Sequence, residues 1–458
     1  MKHVAELEGK KVLVLGLAKS GVAAAEILHE LGAYVTVNDA KPFEENIEAR
    51  KLLEKGITVI CGHHPADLLD NGFQLVVKNP GIPYQNTIIQ QAISREIPIW
   101  TEIELAFRIS EANFIGITGS NGKTTTTTLL FHILNQANKH PLIAGNIGTV
   151  ASSVAKDASK ENVIVTELSS FQLMGIETFA PKIAIWTNIY EAHLDYHQSM
   201  EEYVEAKFAV TRNQIETDYV IYNADQETIV TKINQSKAIP VPFSLKNEQP
   251  NGIWADEENV YWKNEFFMER SKIALPGDHN MENVLSAIAA AMLLECEEEK
   301  IKHVLGSFTG VKHRTQFVRE WRKRRIYNDS KATNTLATRS ALRAFHRPTI
   351  LIAGGLDRQH SFDELTDSLQ HVKALLCFGE TKERLADFGK LHQIPTVKMV
   401  ENVQEAVKEA AAMSTEEDVI LLSPACASWD QYPNFELRGD DFIDAVMKLS
   451  DEEAIEGM

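Results

Sequence analysis

The chain has 458 residues, with 64 acidic and 46 basic side chains and a formal net charge of −18 at pH 7. This charge excludes non-specific binding to nucleic acid or to an anionic membrane, so an anionic ligand must be held by local positive groups. No apolar run approaches the ~20 residues of a membrane helix, and the N-terminus lacks the apolar core of a signal peptide. The four cysteines (Cys61, Cys296, Cys377, Cys426) lie far apart in the sequence. Together these features predict a cytoplasmic protein with reduced thiols and no membrane insertion.

The first hundred residues alternate predicted strands with helices. Strands are predicted at 11–15, 34–37, 57–60 and 75–77, with a glycine turn at 16–21 and a helix at 22–31. The turn and Asp39, which follows the second strand, are typical of half a dinucleotide-binding domain. Ala18 replaces the middle glycine of the full pattern, which favours a ligand with one diphosphate near the loop. A plain turn, with Asp39 as a strand-end turn residue, stays an alternative.

A second loop follows the strand at 75–77. Its sequence, Asn-Pro-Gly-Ile-Pro at 79–83, cannot continue a strand. Loops at the carboxyl ends of strands are where open α/β sheets bind ligands. We therefore predict a ligand-binding domain that ends near residue 101.

The most informative stretch is FIGITGSNGKTTTTTLL at 114–130. A predicted strand, a glycine loop, Lys123 and a helix follow one another, which is the order of a phosphate-binding loop. Lys123 supplies a mobile charge for the outer phosphates, and Thr124 offers a hydroxyl to Mg²⁺. Ile117 stands where a full Walker A motif has its first glycine, so the motif is the shorter G-x-x-G-K-T. The alternative is a glycine turn that opens an ordinary helix.

Polar residues also end the neighbouring predicted strands. Glu167 directly follows the strand at 163–166. Its carboxylate either holds Mg²⁺ or is simply exposed to solvent at the end of the strand. Asn188, His193 and Asp195 follow the strand at 184–187 and are candidate site residues. Asn280 and Asn283 lie at the start of a predicted helix at 280–294, where they either contact a base or ribose or simply cap the helix.

Two further regions complete the pattern. Residues 239–275 predict short antiparallel strands. From residue 311, predicted strands at 325–328, 349–353, 374–378 and 419–422 alternate with helices, and the tail from Asp451 is predicted to fray. The chain is therefore predicted to be an α/β protein with three domains: 1–101, 102–310 and 311–458.

Several stretches, in one order, resemble the Mur ligases over essentially the whole chain. They are TGSNGKTT, AGNIG, ELSSFQL, TNI-x₃-HLDYH, the pair Asn280 and Asn283, HRTQ, NDSKATN and SPACASWDQYPNFELRG. The first several also occur in folylpolyglutamate ligases, whereas the last two look like the D-glutamate-adding members. The Asp-Asn-Pro-Arg signature of the diaminopimelate- and lysine-adding members is absent.

The resemblance implies an ATP-dependent ligase that adds D-glutamate to UDP-N-acetylmuramoyl-L-alanine through an acyl phosphate, in cytoplasmic peptidoglycan precursor synthesis. It implies a Rossmann-like N-terminal domain for the UDP moiety, a central P-loop ATPase-like domain with a mixed sheet for ATP and two Mg²⁺ ions, and a C-terminal Rossmann-like domain for the amino acid. It also implies small-molecule partners, no nucleic acid, and a monomer.

The resemblance assigns roles to particular residues. The UDP substrate is expected at Gly16, Ala18, Lys19, Ser20, Asp39, Asn79 and Gly81, with Asn146 at the muramoyl peptide. The nucleotide is expected at Gly119, Ser120, Asn121, Gly122, Lys123, Thr124, Thr125, Asn280, Asn283, Arg314 and Asp329. Metal ligands are expected at Thr124, Glu167, His193 and carbamylated Lys207, and D-glutamate at Lys331, Thr333, Arg358, Ser428 and Phe435. Lys123, Lys207 and His193 are the expected catalytic residues.

Two of these assignments go against the local sequence. Read alone, Lys207 is a surface lysine beside a glutamate; as a carbamate it must lie where burial or a nearby cation lowers its pKa. The family also carries a lysine after the glycine pair at 354–355, where this chain has Arg358. Either Arg358 or a nearby lysine such as Lys331 is expected to meet the side-chain carboxylate of D-glutamate.

Three other functions stay open at this point. A Mur-type or folylpolyglutamate-type ligase for a different amino acid shares most of the motifs. A P-loop ATPase without ligase activity would hydrolyse ATP with no amino acid present. A nicotinamide dehydrogenase built on the turn at 16–21 is disfavoured by Ala18 and by the phosphate loop at 119–124.

Overall fold

The computed structural model describes residues 1–275 and 277–450. The side chains of Asp195, Asp278 and His279 also lie outside this description, as does the predicted frayed tail from Asp451. Contacts divide the chain into two compact units, Met1–Phe308 and Thr309 onward. Within the described residues, no helix has the length and apolar character needed to cross a membrane.

The first unit begins with a five-stranded parallel sheet, in the order β3-β2-β1-β4-β5. The strands are β1 (Lys11–Leu15), β2 (Tyr34–Asp39), β3 (Thr58–Cys61), β4 (Leu75–Lys78) and β5 (Ile99–Trp100), with helices α1 (Lys19–Glu30), α2 (Ile47–Glu54) and α3 (Thr87–Ser94). Strand β1 lies between β2 and β4, so the loops after β1 and β4 flank the point where the strand order reverses. Such a switch point opens a crevice at the carboxyl ends of the strands.

A nine-stranded sheet fills the rest of this unit, in the order β14-β13-β12-β11-β10-β9-β6-β8-β7. Its strands are β6 (Asn113–Thr118), β7 (Pro141–Gly145), β8 (Val163–Glu167), β9 (Ile183–Trp186), β10 (Tyr219–Asn223), β11 (Ile239–Ser244), β12 (Ile253–Ala255), β13 (Asn259–Trp262) and β14 (Glu265–Glu269). Its helices are α4 (Glu102–Ile109), α5 (Lys123–Gln136), α6 (Ala151–Asp157), α7 (Ser170–Leu173), α8 (Leu194–His197), α9 (Met200–Phe208), α10 (Glu227–Ile233), α11 (Asp278–Leu293) and α12 (Glu298–Leu305).

The second unit contains a six-stranded sheet, in the order β15-β16-β20-β17-β18-β19. Its strands are β15 (Gln316–Trp321), β16 (Arg324–Asn328), β17 (Thr349–Gly354), β18 (Val372–Phe378), β19 (Thr396–Met399) and β20 (Val419–Leu422). Its helices are α13 (Thr335–Arg343), α14 (Lys382–Leu391), α15 (Val403–Met413) and α16 (Phe435–Met447). Only the edge pair of β15 and β16 is antiparallel among the described strands of this sheet.

The three sheets confirm the predicted α/β fold class, with one error in the central sheet. Residues 239–275 were expected to form antiparallel strands, but β11 pairs in parallel with β10 and with β12, and antiparallel pairing begins only at β13. The reason is that alternation of apolar and polar residues reports a half-exposed strand and not its direction. The domain boundaries at 101/102 and 310/311 stay predictions.

Candidate functional site: a phosphate loop with two lysines

The phosphate loop leaves the sheet between two other loops. Strand β6 pairs in parallel with β8 on one side and β9 on the other, with Ile117 opposite both Glu167 and Ile185. Parallel neighbours end at the same edge of a sheet. The loop at 119–122, Glu167 and the segment that follows β9 therefore meet at one edge, as the order of motifs predicted.

The loop after β9 holds the phosphate loop in shape. The Asn121 N–H donates to Asn188 Oδ1 at 2.8 Å, and Thr187 Oγ1 donates to the Asn121 carbonyl at 2.7 Å. A Cβ on Gly119, where φ is +149°, would lie 2.0 Å from Thr187 Oγ1. Glycine is thus required by both its backbone angle and its close neighbour. Asn188 was predicted near the site from its position after β9, whereas Thr187 was not.

Two lysine side chains reach the same carbonyl of this loop. Lys123 Nζ donates to the Gly119 carbonyl at 2.8 Å and to the Ser120 carbonyl at 3.0 Å. Lys207 Nζ donates to the Gly119 carbonyl at 2.7 Å. Lys207 is only 1% exposed, so the surface position suggested by its local sequence is wrong.

The surroundings of Lys207 favour its neutral amine. Burial and, after it, the positive charge of Lys123 hold the pKa of Lys207 well below its ordinary value of 10.5. Its Nζ lies 4.6 Å from the ring centroid of Tyr203. These are the conditions that carbamate formation requires, whereas the modification itself stays a prediction.

Glu167 lies beside the start of helix α5. Thr124 Oγ1 donates to Glu167 Oε2 at 2.8 Å, and Asn146 Nδ2 donates to Glu167 Oε1 at 3.0 Å. The carboxylate is 3% exposed, and its partners in the described part of the chain are neutral. A buried carboxylate without a cation, next to a hydroxyl, fits Mg²⁺, which prefers oxygen ligands and keeps several waters.

Of the four expected metal ligands, two touch each other and two lie against the same tyrosine ring. Across the residues that the structure describes, no group of three or more His, Cys, Asp or Glu side chains is arranged to hold a metal ion. His193 instead contacts the ring of Phe171 at 5.1 Å and that of Tyr203 at 6.2 Å between centroids. Its backbone is left-handed, with φ of 58°. Thr124 and Glu167 therefore touch, whereas His193 and Lys207 both lie against Tyr203.

Tyr203 is a residue that the sequence analysis missed. It is 1% exposed, and its hydroxyl lies 3.1 Å from Ser120 Oγ in the phosphate loop. It thus connects Ser120, His193 and Lys207 from helix α9. Its position four residues before Lys207, one helical turn, is the signal that was available.

The two asparagines of helix α11 lie near the phosphate loop as well. Thr126 Oγ1 donates to Asn283 Oδ1 at 3.2 Å, and Asn283 Nδ2 donates to Asn280 Oδ1 at 3.3 Å. A Cβ on Gly122 would lie 2.0 Å from Asn283 Oδ1. Asn283 therefore packs against the loop itself, while Asn280 is half-buried. Thr125 is buried at the start of α5.

A separate cavity of about 350 Å³ lies at the switch point of the five-stranded sheet. Of the residues predicted for the UDP substrate, five line it: Gly16, Ala18, Asp39, Asn79 and Gly81. Ser20 and the exposed Lys19 are not in the lining, although the Ser20 hydroxyl accepts a hydrogen bond from Asn79 Nδ2 at 3.1 Å. Asn38, His64 and Asn86 also line the cavity and were missed.

Asp39 shapes the glycine turn of this cavity. Its carboxylate accepts the Leu17 N–H at 2.6 Å and the Lys41 N–H at 2.8 Å. The turn-forming role, which the sequence left as an alternative, is therefore present, and Asp39 still lines the cavity.

In the second unit, Asp329 directly follows β16 and holds the segment next to Arg314. Its carboxylate accepts the Thr315 N–H at 3.0 Å and the Ser423 hydroxyl at 2.8 Å. Burial raises the pKa of Asp329 to about 6, although these hydrogen bonds and the Arg314 charge oppose the shift. Arg314 itself is exposed.

The residues predicted for D-glutamate lie along the carboxyl edge of the six-stranded sheet. Lys331 Nζ lies 5.6 Å from the ring centroid of Phe435, and the Arg358 guanidinium lies 4.8 Å from the ring of Trp429. Ser428 is buried, and Thr333 follows Lys331 in the loop after β16. Arg358 and Lys331 thus lie beside different aromatic rings of the segment at 428–435, and both stay candidates for the carboxylate.

Arg438 connects the loops of this edge. It is fully buried in helix α16, and it donates to the Ser330 carbonyl at 2.8 Å and to the Cys426 carbonyl at 3.1 Å. Burial lowers the pKa of Arg438 to about 10. Arg438 belongs to the NFELRG stretch of the predicted family motif, but no role was predicted for it.

Comparison with known proteins identifies the family. Three family models match in succession: the N-terminal domain of MurD-like Mur ligases at residues 10–101, the Mur ligase middle domain at 117–291, and the glutamate ligase domain of Mur ligases at 313–426. The chain belongs to the Mur ligase family.

Two curated relatives of this Mur ligase carry the same name, UDP-N-acetylmuramoylalanine–D-glutamate ligase. The relative from Listeria monocytogenes serovar 1/2a is 54% identical over 453 residues, which is 99% of each chain. The relative from Bacillus cereus strain Q1 is 54% identical over 449 residues, 98% of this chain and 100% of the relative. The likeness therefore includes all three sheets.

Solved structures show the same fold at low identity. The UDP-N-acetylmuramate–alanine ligase MurC of Thermotoga maritima has a TM-score of 0.57 and 21% identity, over 95% of this chain and 99% of that one. The MurF ligase of Thermotoga maritima, solved in complex with ADP, has a TM-score of 0.55 and 15% identity over 98% and 97%. At this level the structures support the fold and not the substrate.

Proposed function

We propose that this Mur ligase uses ATP to join D-glutamate to the carboxylate of UDP-N-acetylmuramoyl-L-alanine in peptidoglycan precursor synthesis. The observation that carries the proposal is the 54% identity, over 99% of the chain, to a relative named for this reaction. The phosphate loop with Lys123 and the buried Lys207 supplies a chemically suitable site.

The chemistry begins with a carboxylate that is too weak an electrophile for an amine in water. Transfer of the γ-phosphoryl group of ATP makes one carboxylate oxygen part of a good leaving group. Because the carboxylate and the polyphosphate are both anions, Lys123 and the N-terminus of helix α5 must offset their repulsion. Mg²⁺, held by Thr124 and Glu167 when bound, would supply additional positive charge at the phosphates.

The second step forms the amide. The amine of D-glutamate attacks the acyl phosphate, the tetrahedral intermediate collapses, and inorganic phosphate leaves with one oxygen of the original carboxylate. Carbamylated Lys207 would add a carboxylate beside Lys123 and, with His193, hold a second Mg²⁺ ion. Water must be excluded while the acyl phosphate exists, since hydrolysis would waste ATP.

We assign the substrates by domain. The cavity lined by Gly16, Asp39 and Asn79 would take the UDP moiety, with Asn146 at the muramoyl peptide. Asn280, Arg314 and Asp329 would contact ATP, and the D-glutamate residues are those predicted in the second unit: Lys331, Thr333, Arg358, Ser428 and Phe435. We further propose a cytoplasmic monomer.

Phosphate release measured over a panel of amino acids tests the proposal. With ATP, Mg²⁺ and UDP-N-acetylmuramoyl-L-alanine, release should require D-glutamate, and the product should contain one added glutamyl residue by mass spectrometry. Release with L-lysine or diaminopimelate instead would identify a different Mur ligase. Equal release with no amino acid would favour a simple ATPase.

A further inference from the structure

Lys78, the last residue of β4, is a buried cation outside the phosphate site. It is 1% exposed, and its Nζ donates to the Pro80 carbonyl at 3.2 Å, the Ile82 carbonyl at 2.9 Å and the Tyr196 hydroxyl at 3.2 Å. No carboxylate among the described residues pairs with it. Burying an unpaired lysine is costly, so a role beyond filling space is needed to explain it.

The carbonyls that Lys78 contacts belong to the loop at 79–82. Asn79, Gly81 and Ile82 of this loop line the 350 Å³ cavity. The loop is also closed on itself, since the Gly81 N–H donates to Asn79 Oδ1 at 3.1 Å. Lys78 therefore supports, through the backbone, the same loop that presents Asn79 and Gly81 to the cavity.

Tyr196 brings a second element to the same two carbonyls. Its hydroxyl lies 3.1 Å from the Pro80 carbonyl and 2.9 Å from the Ile82 carbonyl. Tyr196 is in helix α8, which begins directly after His193. The ring of Phe171 contacts both Tyr196, at 4.3 Å, and His193, at 5.1 Å. The cluster thus joins the cavity loop to the segment that carries a predicted metal ligand.

Every N–H of the ammonium has an acceptor in this cluster. The Asn79 carbonyl, at 3.5 Å, is a fourth and more distant acceptor beside the two carbonyls and the hydroxyl, and the hydroxyl proton remains for the Pro80 or Ile82 carbonyl. The rings of Tyr84 and Tyr196 lie 4.9 and 5.9 Å from Lys78 Nζ, so their faces offset part of the lost hydration. Burial still lowers the pKa of Lys78 to about 7.

We propose that Lys78 is a positioning residue that holds the loop at 79–82 in its ligand-binding shape and ties it to helix α8 through Tyr196. The inference rests on the proposed function in one respect: the ligand of the cavity is taken to be a uridine nucleotide. Occupancy of the cavity and the position of the His193 segment would then depend on one another.

Calorimetric binding of UDP alone, and separately of Mg²⁺-ATP, tests this role. Lys78→Met keeps the length of the side chain without its charge, and Tyr196→Phe removes only the hydroxyl. Each should weaken UDP binding about tenfold, since hydrogen bonds to a charged group are lost, while Mg²⁺-ATP binding changes less than about twofold. The double variant should lose less UDP affinity than the product of the two single losses predicts.

Lys182→Met, which removes the lysine paired with Asp218 at 3.0 Å, is the control and should bind both ligands as wild type does.

Any other binding result would contradict a specific part of the proposal. Wild-type affinity for UDP in Lys78→Met, or an equal loss of UDP and Mg²⁺-ATP binding, would overturn the positioning role. If Lys78→Met does not fold, Tyr196→Phe decides, and an unchanged UDP affinity there would overturn it. A wild-type protein that binds Mg²⁺-ATP but not UDP would contradict the proposed function. It would also overturn the role of Lys78, because that role assumes a uridine nucleotide in the cavity.

Discussion

Lys123 and Lys207 donate to the same oxygen, the main-chain carbonyl of Gly119, at 2.8 and 2.7 Å. Two ammonium groups so close together repel each other, and burial adds to the cost of the charge on Lys207. The arrangement is chemically reasonable if one of them is neutral or becomes an anion. A carbamate on Lys207 would convert this repulsion into attraction.

Lys123→Ala should slow amide formation severely. Loss of one positioned charge removes about 3 kcal/mol or more of transition-state stabilisation, or roughly a hundredfold in rate. Single-turnover product formation measures the effect, and circular dichroism verifies the fold. A folded Lys123→Ala enzyme with wild-type turnover would remove the lysine from the chemistry.

Lys207→Ala should be similarly slow, but its defect should be partly repaired by acetate or another short-chain carboxylate, which stands in for the carbamate. The same carboxylates should not raise the activity of Lys123→Ala, because a cation is missing there. Steady-state rates against carboxylate concentration provide the measurement. Full activity of Lys207→Ala without any addition would show that no carbamate is needed.

Gly122→Ala should weaken ATP binding by about tenfold or more, because its Cβ would lie 2.0 Å from Asn283 Oδ1 and displace a side chain that holds Thr126. Gly72 is a matched control: its φ of +76° is close to the +78° of Gly122, and nothing lies within 4 Å of its added Cβ. Both variants should lose about 1 kcal/mol of stability from backbone strain. Equal ATP affinity in the two variants would contradict the proposed contact.

Glu102→Gln should stabilise the protein at alkaline pH. Burial raises the pKa of Glu102 from 4.5 to about 7, although its hydrogen bonds to Ser152 oppose this. The folded state therefore binds more protons than the unfolded state between these values, so stability falls as the pH rises through that window. Glutamine carries no charge, and at pH 8 the variant should be more stable by on the order of 2 kcal/mol, with the difference vanishing near pH 4.

Denaturant unfolding at pH 4 and pH 8 measures the Glu102 effect. Glu104→Gln, in the same helix, is the control, and its change in the free energy of unfolding should have the opposite sign. Glu104 is fully buried but pairs with Arg108 at 2.7 Å and accepts the Phe179 N–H at 3.0 Å, so losing its charge should destabilise the fold. If Glu102→Gln is no more stable than wild type at pH 8, the burial of Glu102 is not costly.

The sequence was most informative about reactive and polar residues that directly follow a strand. Lys123, Thr124 and Glu167 could be placed together because adjacent parallel strands end at one edge. Helix α5 forms although Thr124–Thr128 are β-branched, because most of their side chains are buried in the unit. Local propensity alone would have argued against this helix.

What the sequence missed are side chains whose role is set by tertiary contacts. Tyr203 and Thr187 touch the phosphate loop from other elements, and Arg438 connects three loops through backbone carbonyls. The predicted strand ended at residue 77, whereas Lys78 is the buried last residue of β4. Apart from the one-turn spacing between Tyr203 and Lys207, no spacing rule identifies such contacts. Lys207 was found only through the family resemblance.

The central claim is that the γ-phosphoryl group passes to the substrate carboxylate and not to water. With ¹⁸O in both carboxylate oxygens of UDP-N-acetylmuramoyl-L-alanine, and with D-glutamate, ATP and Mg²⁺ present, one ¹⁸O atom should appear in each inorganic phosphate released. Mass spectrometry of the phosphate measures this directly. Released phosphate that carries no ¹⁸O, while the amide product still forms, would contradict the account.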